Sequence, residues 1–143
     1  MRERSKARGW ALQVMYAWDT RGGAGSPASL LEQFAAERNI ASASRAYAAQ
    51  LLELFNTHKK QIDSTLQDSL SNWRLERLSM IDRNILRLAA AEMLYVDDVP
   101  GRVSIQEAIQ LAEKYGTHES PRFVNGVLDA LLREYGRDTQ ESR

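Results

Sequence analysis

The chain has 143 residues, 43% of them hydrophobic and 27% charged, with only 3 Pro and 8 Gly, which describes one folded domain with a sizeable core rather than a disordered segment. Its 19 Lys+Arg balance 19 Asp+Glu, so global charge does not draw it onto nucleic acid. A sequence without cysteine excludes disulfides, thiolate nucleophiles, iron–sulfur clusters and cysteine-rich zinc sites, leaving His58 and His118 as the soft metal ligands.

The opening Arg2, Glu3, Arg4, Lys6 and Arg8 carries no apolar leader run, and no stretch approaches the roughly 18 apolar residues of a membrane span. A cytoplasmic protein that does not enter a membrane is expected. Residues 1–23 hold five cations against Glu3 and Asp19, a local excess of three positive charges balanced by an acidic remainder.

Helical periodicity accounts for nearly all the apolar residues, and no strand-length alternation bounded by turn residues occurs, so the class is all-α. The first helix is expected from Glu3 to Asp19, with Ala7, Trp10, Ala11, Val14, Met15 and Trp18 on one stripe and Gly22, Gly23 and Gly25 ending it. Ser29 and Glu32 read as a capping box for a short helix that buries Leu30, Leu31 and Phe34. From Ser44 to Leu70 the positions Tyr47, Leu51, Leu54, Phe55, His58, Ile62 and Leu66 keep a 3.6-residue rhythm with no Gly or Pro, which fits one long helix. Trp73, Leu75 and Leu78 form a short connection, and Ser79 caps a helix that runs to Val96. That helix is apolar almost all round, so other elements should surround it. After the loop of Asp97, Asp98, Pro100 and Gly101, Ser104 and Glu107 read as a second capping box, for a helix that buries Ile105, Ala108, Ile109 and Ala112 and stops at Gly116. Ser120 as N-cap and Pro121 in the first turn open the last helix, whose inner face is Val124, Val127, Leu128, Leu131, Leu132 and Tyr135. The polar tail at 137–143 is expected to fray. No repeat or linker divides the chain, so residues 1–143 read as a single domain with a basic segment at 1–8.

No nucleophile with a base, paired-carboxylate cleft, metal cluster or phosphate loop emerges, so no catalytic residue and no cofactor are assigned and the chain does not read as an enzyme. His58 lies on an apolar stripe and reads as a hydrogen-bonded core histidine. Glu92 interrupts the apolar helix and is expected to accept hydrogen bonds from an arginine or a helix start, as a buried charge must. Gly126, inside a helix, is expected to mark close helix packing. Projection of the first helix at 100° per residue puts Arg2, Ser5, Lys6, Gly9, Gln13 and Tyr16 on a second face, away from the core. Cations beside an exposed ring and an amide suit single-stranded nucleic acid, in which phosphates are neutralised, a base stacks and an edge is read. An ordinary solvated face is the competing reading.

Four stretches, ALQVMYAW from Ala11, WRLERLSMIDRNILRLAAAE from Trp73, VPGRVSIQEAIQLA from Val99 and above all RFVNGVLD from Arg122, together resemble the NusB family of bacterial transcription antitermination factors over about Arg2 to Tyr135. The resemblance implies about seven helices in two packed subbundles, binding boxA-type single-stranded RNA together with the ribosomal small-subunit protein NusE and assisting the RNA polymerase antitermination complex, notably in ribosomal RNA operons. Carried over position by position, the RNA surface it implies is Arg4, Lys6, Arg8, Gln13 and Tyr16, then Asp82, then Glu119, Arg122 and Phe123. A carboxylate fits such a surface by accepting from exocyclic amino groups of bases. Asn125 reads as a structural hydrogen-bonding residue. The opening departs from the family, whose members carry denser arginines and an acidic residue near the position of Gly9. Two alternatives stay open: a helical protein-interaction module, such as a homodimer, that does not bind RNA, and a stand-alone relative of the amino-terminal domain of ribosomal RNA cytosine methyltransferases.

Overall fold

In the computed structural model, which describes residues 2–136, the apolar stripes become α1 (Arg2–Thr20), α2 (Ala28–Arg38), α3 (Ser42–Ser69), α4 (Met80–Tyr95), α5 (Gly101–Tyr115) and α6 (Ser120–Tyr135), with a single 3₁₀ turn at Leu75–Arg77. Counting that turn gives the seven helical elements expected, and there is no strand among the described residues. The expected fraying tail lies outside them.

Helices α1, α2 and α3 pack on one another, α4, α5 and α6 form a second group, and α4 joins the two by packing against both α1 and α3. α4 is buried from Arg83 to Met93, with only Arg87 half-exposed in that run: its apolar residues meet the expectation, while Arg83, Asn84 and Arg87 are held there by Asp19 of α1, and Arg87 also by Asp63 of α3. The largest fully buried side chains, including Leu12, Met15, Phe55, Ile62, Leu86, Met93 and Leu128, come from four helices and make one continuous core. No described helix is long and apolar enough to cross a membrane.

Only one of the expected serine caps forms. Ser79 Oγ accepts the Asp82 N–H at 3.1 Å. The capping box at Ser29 and Glu32 is replaced by an earlier start: Pro27, with φ −63°, is already in helical geometry, Ser26 Oγ accepts the Ala28 N–H at 3.2 Å, and Ser29 Oγ donates back to the Ser26 carbonyl at 2.8 Å. α5 likewise begins right after Pro100, which places Ser104 inside the helix, where it is 1% exposed and bonded to Glu92 instead of to its own backbone. Ser120 is the first residue of α6 rather than its cap, and its Oγ accepts the Thr117 N–H at 3.0 Å, tightening the preceding turn.

The long helix α3 exists but breaks at His58, where φ −115° and ψ 21° leave the helical region. There the half-buried His58 ring lies flat on Tyr95 of α4, with centroids 3.9 Å apart and planes 8° apart, so a ring stack takes the place of the expected hydrogen bond. Gly126 does not mark close packing: it is exposed, and a Cβ built there meets nothing within 4 Å. Gly22, Gly23 and Gly25 do carry left-handed φ, in a turn closed by the Trp18 indole N–H donating to the Gly25 carbonyl at 3.0 Å.

Candidate nucleic-acid interface

The seat of α1 decides which of its residues face outward. Glu92 on α4 is 2% exposed and accepts from Arg8 Nε at 2.9 and 3.1 Å, from Ser104 Oγ at 2.7 Å and from the Tyr47 hydroxyl. Glu107 Oε1 lies 3.3 Å from Arg8 Nη1, while Glu107 Oε2 accepts from Ser5 Oγ at 3.0 Å. One guanidinium thus locks α1 to α4 and α5. Burial, and then the bond to Glu92, push the Tyr47 hydroxyl well above the usual phenol range. Glu92 meets the expectation of an arginine partner.

Arg8 therefore does not stand with the other predicted contacts. It is 5% exposed and its charge is matched inside the protein, because the apolar stripe of α1 continues through its position. Arg4 is partly exposed, donates to both carboxylate oxygens of Asp98 at 3.2 and 3.4 Å, and rests over the Tyr47 ring at 4.4 Å. Lys6 is exposed, with no carboxylate partner among the described residues.

Further along the same face, Tyr16 is 44% exposed, and Gln13 Nε2 donates to the Tyr115 hydroxyl at 3.3 Å, which leaves the Gln13 amide oxygen open. These two side chains line a shallow cleft of about 370 Å³ whose other walls include Phe34 and Arg38 of α2, Ile81 of α4 and Tyr115 of α5. Asp82 follows Ile81 in the first turn of α4; its Oδ1 is enclosed without a hydrogen-bond partner. A larger cleft of about 620 Å³ opens between α1 and α5, lined by Lys6, Gly9 and Gln13 on one side, Gln110, Leu111 and Lys114 on the other, and Asn39 to Ala41 and Ser44 at a third wall. Gln13 and Tyr115 border both clefts.

Glu119, Arg122 and Phe123 belong to the turn before α6 and to its first turn. Glu119 and Arg122 are exposed, and no hydrogen bond or ion pair joins these three to the α1 face among the described residues. Phe123 is half-buried and meets Trp73 edge-on, with centroids 6.1 Å apart and planes at 80°. Trp73, 59% exposed, is a candidate that sequence reasoning treated as mere connection. Its segment is fixed by Gln67, whose Nε2 donates to the Trp73 carbonyl at 2.8 Å and whose Oε1 accepts the Leu75 N–H at 2.9 Å. The signal was available: a tryptophan between Asn72 and Arg74, off any apolar rhythm, has no face on which to be buried. Asn125 makes no side-chain hydrogen bond among the described residues and, like Gly126, lies on the outer side of α6, so it does not play the structural role expected of it. No group of three or more His, Asp or Glu that could hold a metal occurs among the described residues.

Comparison with known proteins places this geometry. The sequence profile of the NusB family matches residues 5–133. The chain is 39% identical to the transcription antitermination protein NusB of Desulfosudis oleivorans over 137 residues, covering 95% of this chain and 89% of that protein, and 41% identical to that of a Nocardioides species over 133 residues, covering 93% and 96%. Among solved structures, NusB of T. maritima superposes with a TM-score of 0.88 at 30% identity, covering 98% of this chain and 97% of that one. A structure of the antitermination factors NusB and NusE in complex with double-stranded RNA superposes with a TM-score of 0.84 at 34% identity, covering 94% and 99%.

Proposed function

The chain belongs to the NusB family, and from that footing we propose that it is a transcription antitermination factor that binds boxA-type single-stranded RNA together with NusE and helps RNA polymerase read through terminators, notably in ribosomal RNA operons. The observation that carries the RNA assignment is the outer face of α1, where an unpaired Lys6, an amide with a free oxygen at Gln13 and a ring 44% exposed at Tyr16 sit on a helix whose other side is locked down. An exposed ring on a rigid element stacks on a base with little ordering cost, and the cation neutralises phosphate. Arg4, shared with Asp98, stands at the edge of this face, Asp82 at the start of α4 offers its second carboxylate oxygen to base amino groups, and the start of α6 would add a further patch in which Arg122 brings charge, Glu119 an acceptor and Phe123 an apolar ring. Arg8 acts from beneath, as the residue that seats the helix. Such a factor works in the cytoplasm, where nascent RNA is made, and needs no cofactor.

NusE is assigned to the carboxy-terminal half. The exposed Trp73 against Phe123, with Asn125 and Gly126 on the outside of α6, offers an apolar and flat surface of the kind protein partners cover. Crosslinks or exchange protection by NusE concentrated on residues 3–19 would overturn that placement. The test of the RNA reading is competition binding of a boxA-like single strand against a scrambled strand and a duplex, with and without NusE. Preference for the boxA strand, sharpened by NusE, is expected; equal binding of all three at every salt concentration refutes it.

A further inference from the structure

Gly9 borders the cleft between α1 and α5 and adds no side chain to it. A glycine inside a 19-residue helix weakens that helix, so its presence asks for a reason. Backbone geometry supplies none, since Gly9 is not among the residues with left-handed φ. Packing supplies none either: a Cβ there would meet only Leu111 Cδ2, at 4.0 Å, an ordinary contact. What the glycine does is leave its stretch of the cleft wall bare, on the face that carries Lys6 and Gln13.

The charge of the cleft is as particular as its shape. Lys6 from α1 and Lys114 from α5 both line it, and neither has a carboxylate partner among the described residues. The acid inside, Glu107, is already held by Arg8 and Ser5, and the Lys114 ammonium rests 5.3 Å from the centre of the Tyr115 ring, so neither lysine at the cleft has its charge matched by a carboxylate among the described residues. Leu111 supplies apolar surface within, and Gln110 adds a second amide opposite Gln13. A volume of about 620 Å³ lies in the range of small-molecule sites. An apolar surface, amide edges that both donate and accept, and two cations at the walls fit a flat heterocycle carrying anions on both sides, which is one nucleotide of a single strand.

We propose that the α1–α5 cleft receives one unstacked nucleotide of the bound RNA, base inward past Gly9, with Lys6 and Lys114 on the phosphates flanking it. This rests on the RNA reading above and extends it to Gly9, which the sequence placed on the outer face of the first helix without a role, and to Gln110 and Lys114, which no sequence signal marked. The strand that stacks on Tyr16 then continues toward α5, past Gln13 and Tyr115, which border both clefts.

The test uses the intact protein with a boxA-like single strand, read by fluorescence anisotropy over a salt series, with melting temperatures in parallel. Gly9→Leu puts a side chain into the cleft against Leu111 while improving the helix, so it should melt at or above the parent and bind the strand at least tenfold more weakly, with an unchanged salt slope. Lys114→Gln should lower the slope by about 0.7, the value of one single-strand phosphate contact. If Gly9→Leu melts lower, Gln110→Trp, at an exposed site, blocks the cleft from the opposite wall and carries the same expectation. Parental affinity in a folded Gly9→Leu or Gln110→Trp, or an unchanged slope in Lys114→Gln, overturns the proposal. So does a loss of NusE affinity without a loss of RNA affinity, which would make the occupant a protein. A parent that binds no RNA refutes the RNA reading itself, whereas a parent whose binding falls with Tyr16→Ala but not with the cleft variants refutes the cleft alone.

Discussion

Replacing Glu92 by leucine removes, in one step, the acceptor shared by Arg8, Tyr47 and Ser104. Breaking a buried ion pair by deleting one partner costs roughly 3–5 kcal/mol. Here Glu107 remains 3.3 Å from Arg8 Nη1 and is itself only slightly exposed, so the charge term falls at the low end, about 3 kcal/mol. Two buried hydroxyls also lose their acceptor, at about 1 kcal/mol each. The total of about 5 kcal/mol corresponds, at about 3 °C per kcal/mol for a domain of this size, to a melting temperature lowered by about 15 °C. Deleting both charges, as Arg8→Met with Glu92→Leu, leaves an apolar contact in place of an orphaned guanidinium and should regain most of that loss. Thermal melts followed at 222 nm on the parent, both single variants and the double variant give the coupling energy directly. A Glu92→Leu melt within about 3 °C of the parent, or a double variant as unstable as the sum of the singles, would show that the cluster does not seat α1. The same double variant addresses Arg8 in RNA binding: it should keep the parental salt slope, because a guanidinium held inside the protein releases no counterions from RNA.

Gly126→Ala should raise the denaturant midpoint by an amount worth about 1 kcal/mol, since it gains helix propensity and its Cβ enters open space; a lower midpoint would mean that the outer face of α6 is already packed. Tyr16→Ala should weaken RNA binding by about 1–3 kcal/mol with little change in salt slope, whereas Lys6→Ala should lower the slope by about 0.7 and leave sequence preference intact, both measurable by anisotropy titration at several salt concentrations. The Tyr47 hydroxyl has its proton affinity raised by folding, so above pH 10, its ordinary value, the unfolded chain loses the proton first and stability falls. Tyr47→Phe should show a shallower fall over that alkaline range in urea melts.

Helix identity was legible because the stripes are long and unbroken, and Tyr16 and Lys6 came out of the same periodicity as its complement. The position of Arg8 was legible in principle: residues 8, 11, 12 and 15 keep helical spacing and are all buried, so an arginine there calls for a buried acid, and Glu92 is the one charged residue in the apolar run from Leu88 to Tyr95. Reading each charge by itself hid the pair. The capping boxes failed for a related reason: a serine hydroxyl can serve its own backbone or a neighbour, and at Ser104 the carboxylate of another helix wins. The break at His58 has no Gly or Pro to announce it, and the walls of the α1–α5 cleft come from residues about a hundred positions apart, a proximity that local pattern does not contain.

The partners of α1 also set an order of events during synthesis. The side-chain bonds of its outer and amino-terminal residues run 84, 94 and 102 positions downstream, to Glu92, Asp98, Glu107 and Tyr115, while Asp19 at its other end bonds Arg83 and Arg87, 64 and 68 positions away. A 19-residue helix on its own is marginal in water, and contacts at such separations form late. The first helix to leave the ribosome can pack on α2 and α3 early, but an incomplete chain that stops before α5 exposes its basic face without the bonds to Glu107 and Tyr115. On the RNA reading, the outer face of α1 is ready to hold a transcript only when translation has passed Tyr115, and a shorter product lacks the firmly seated face.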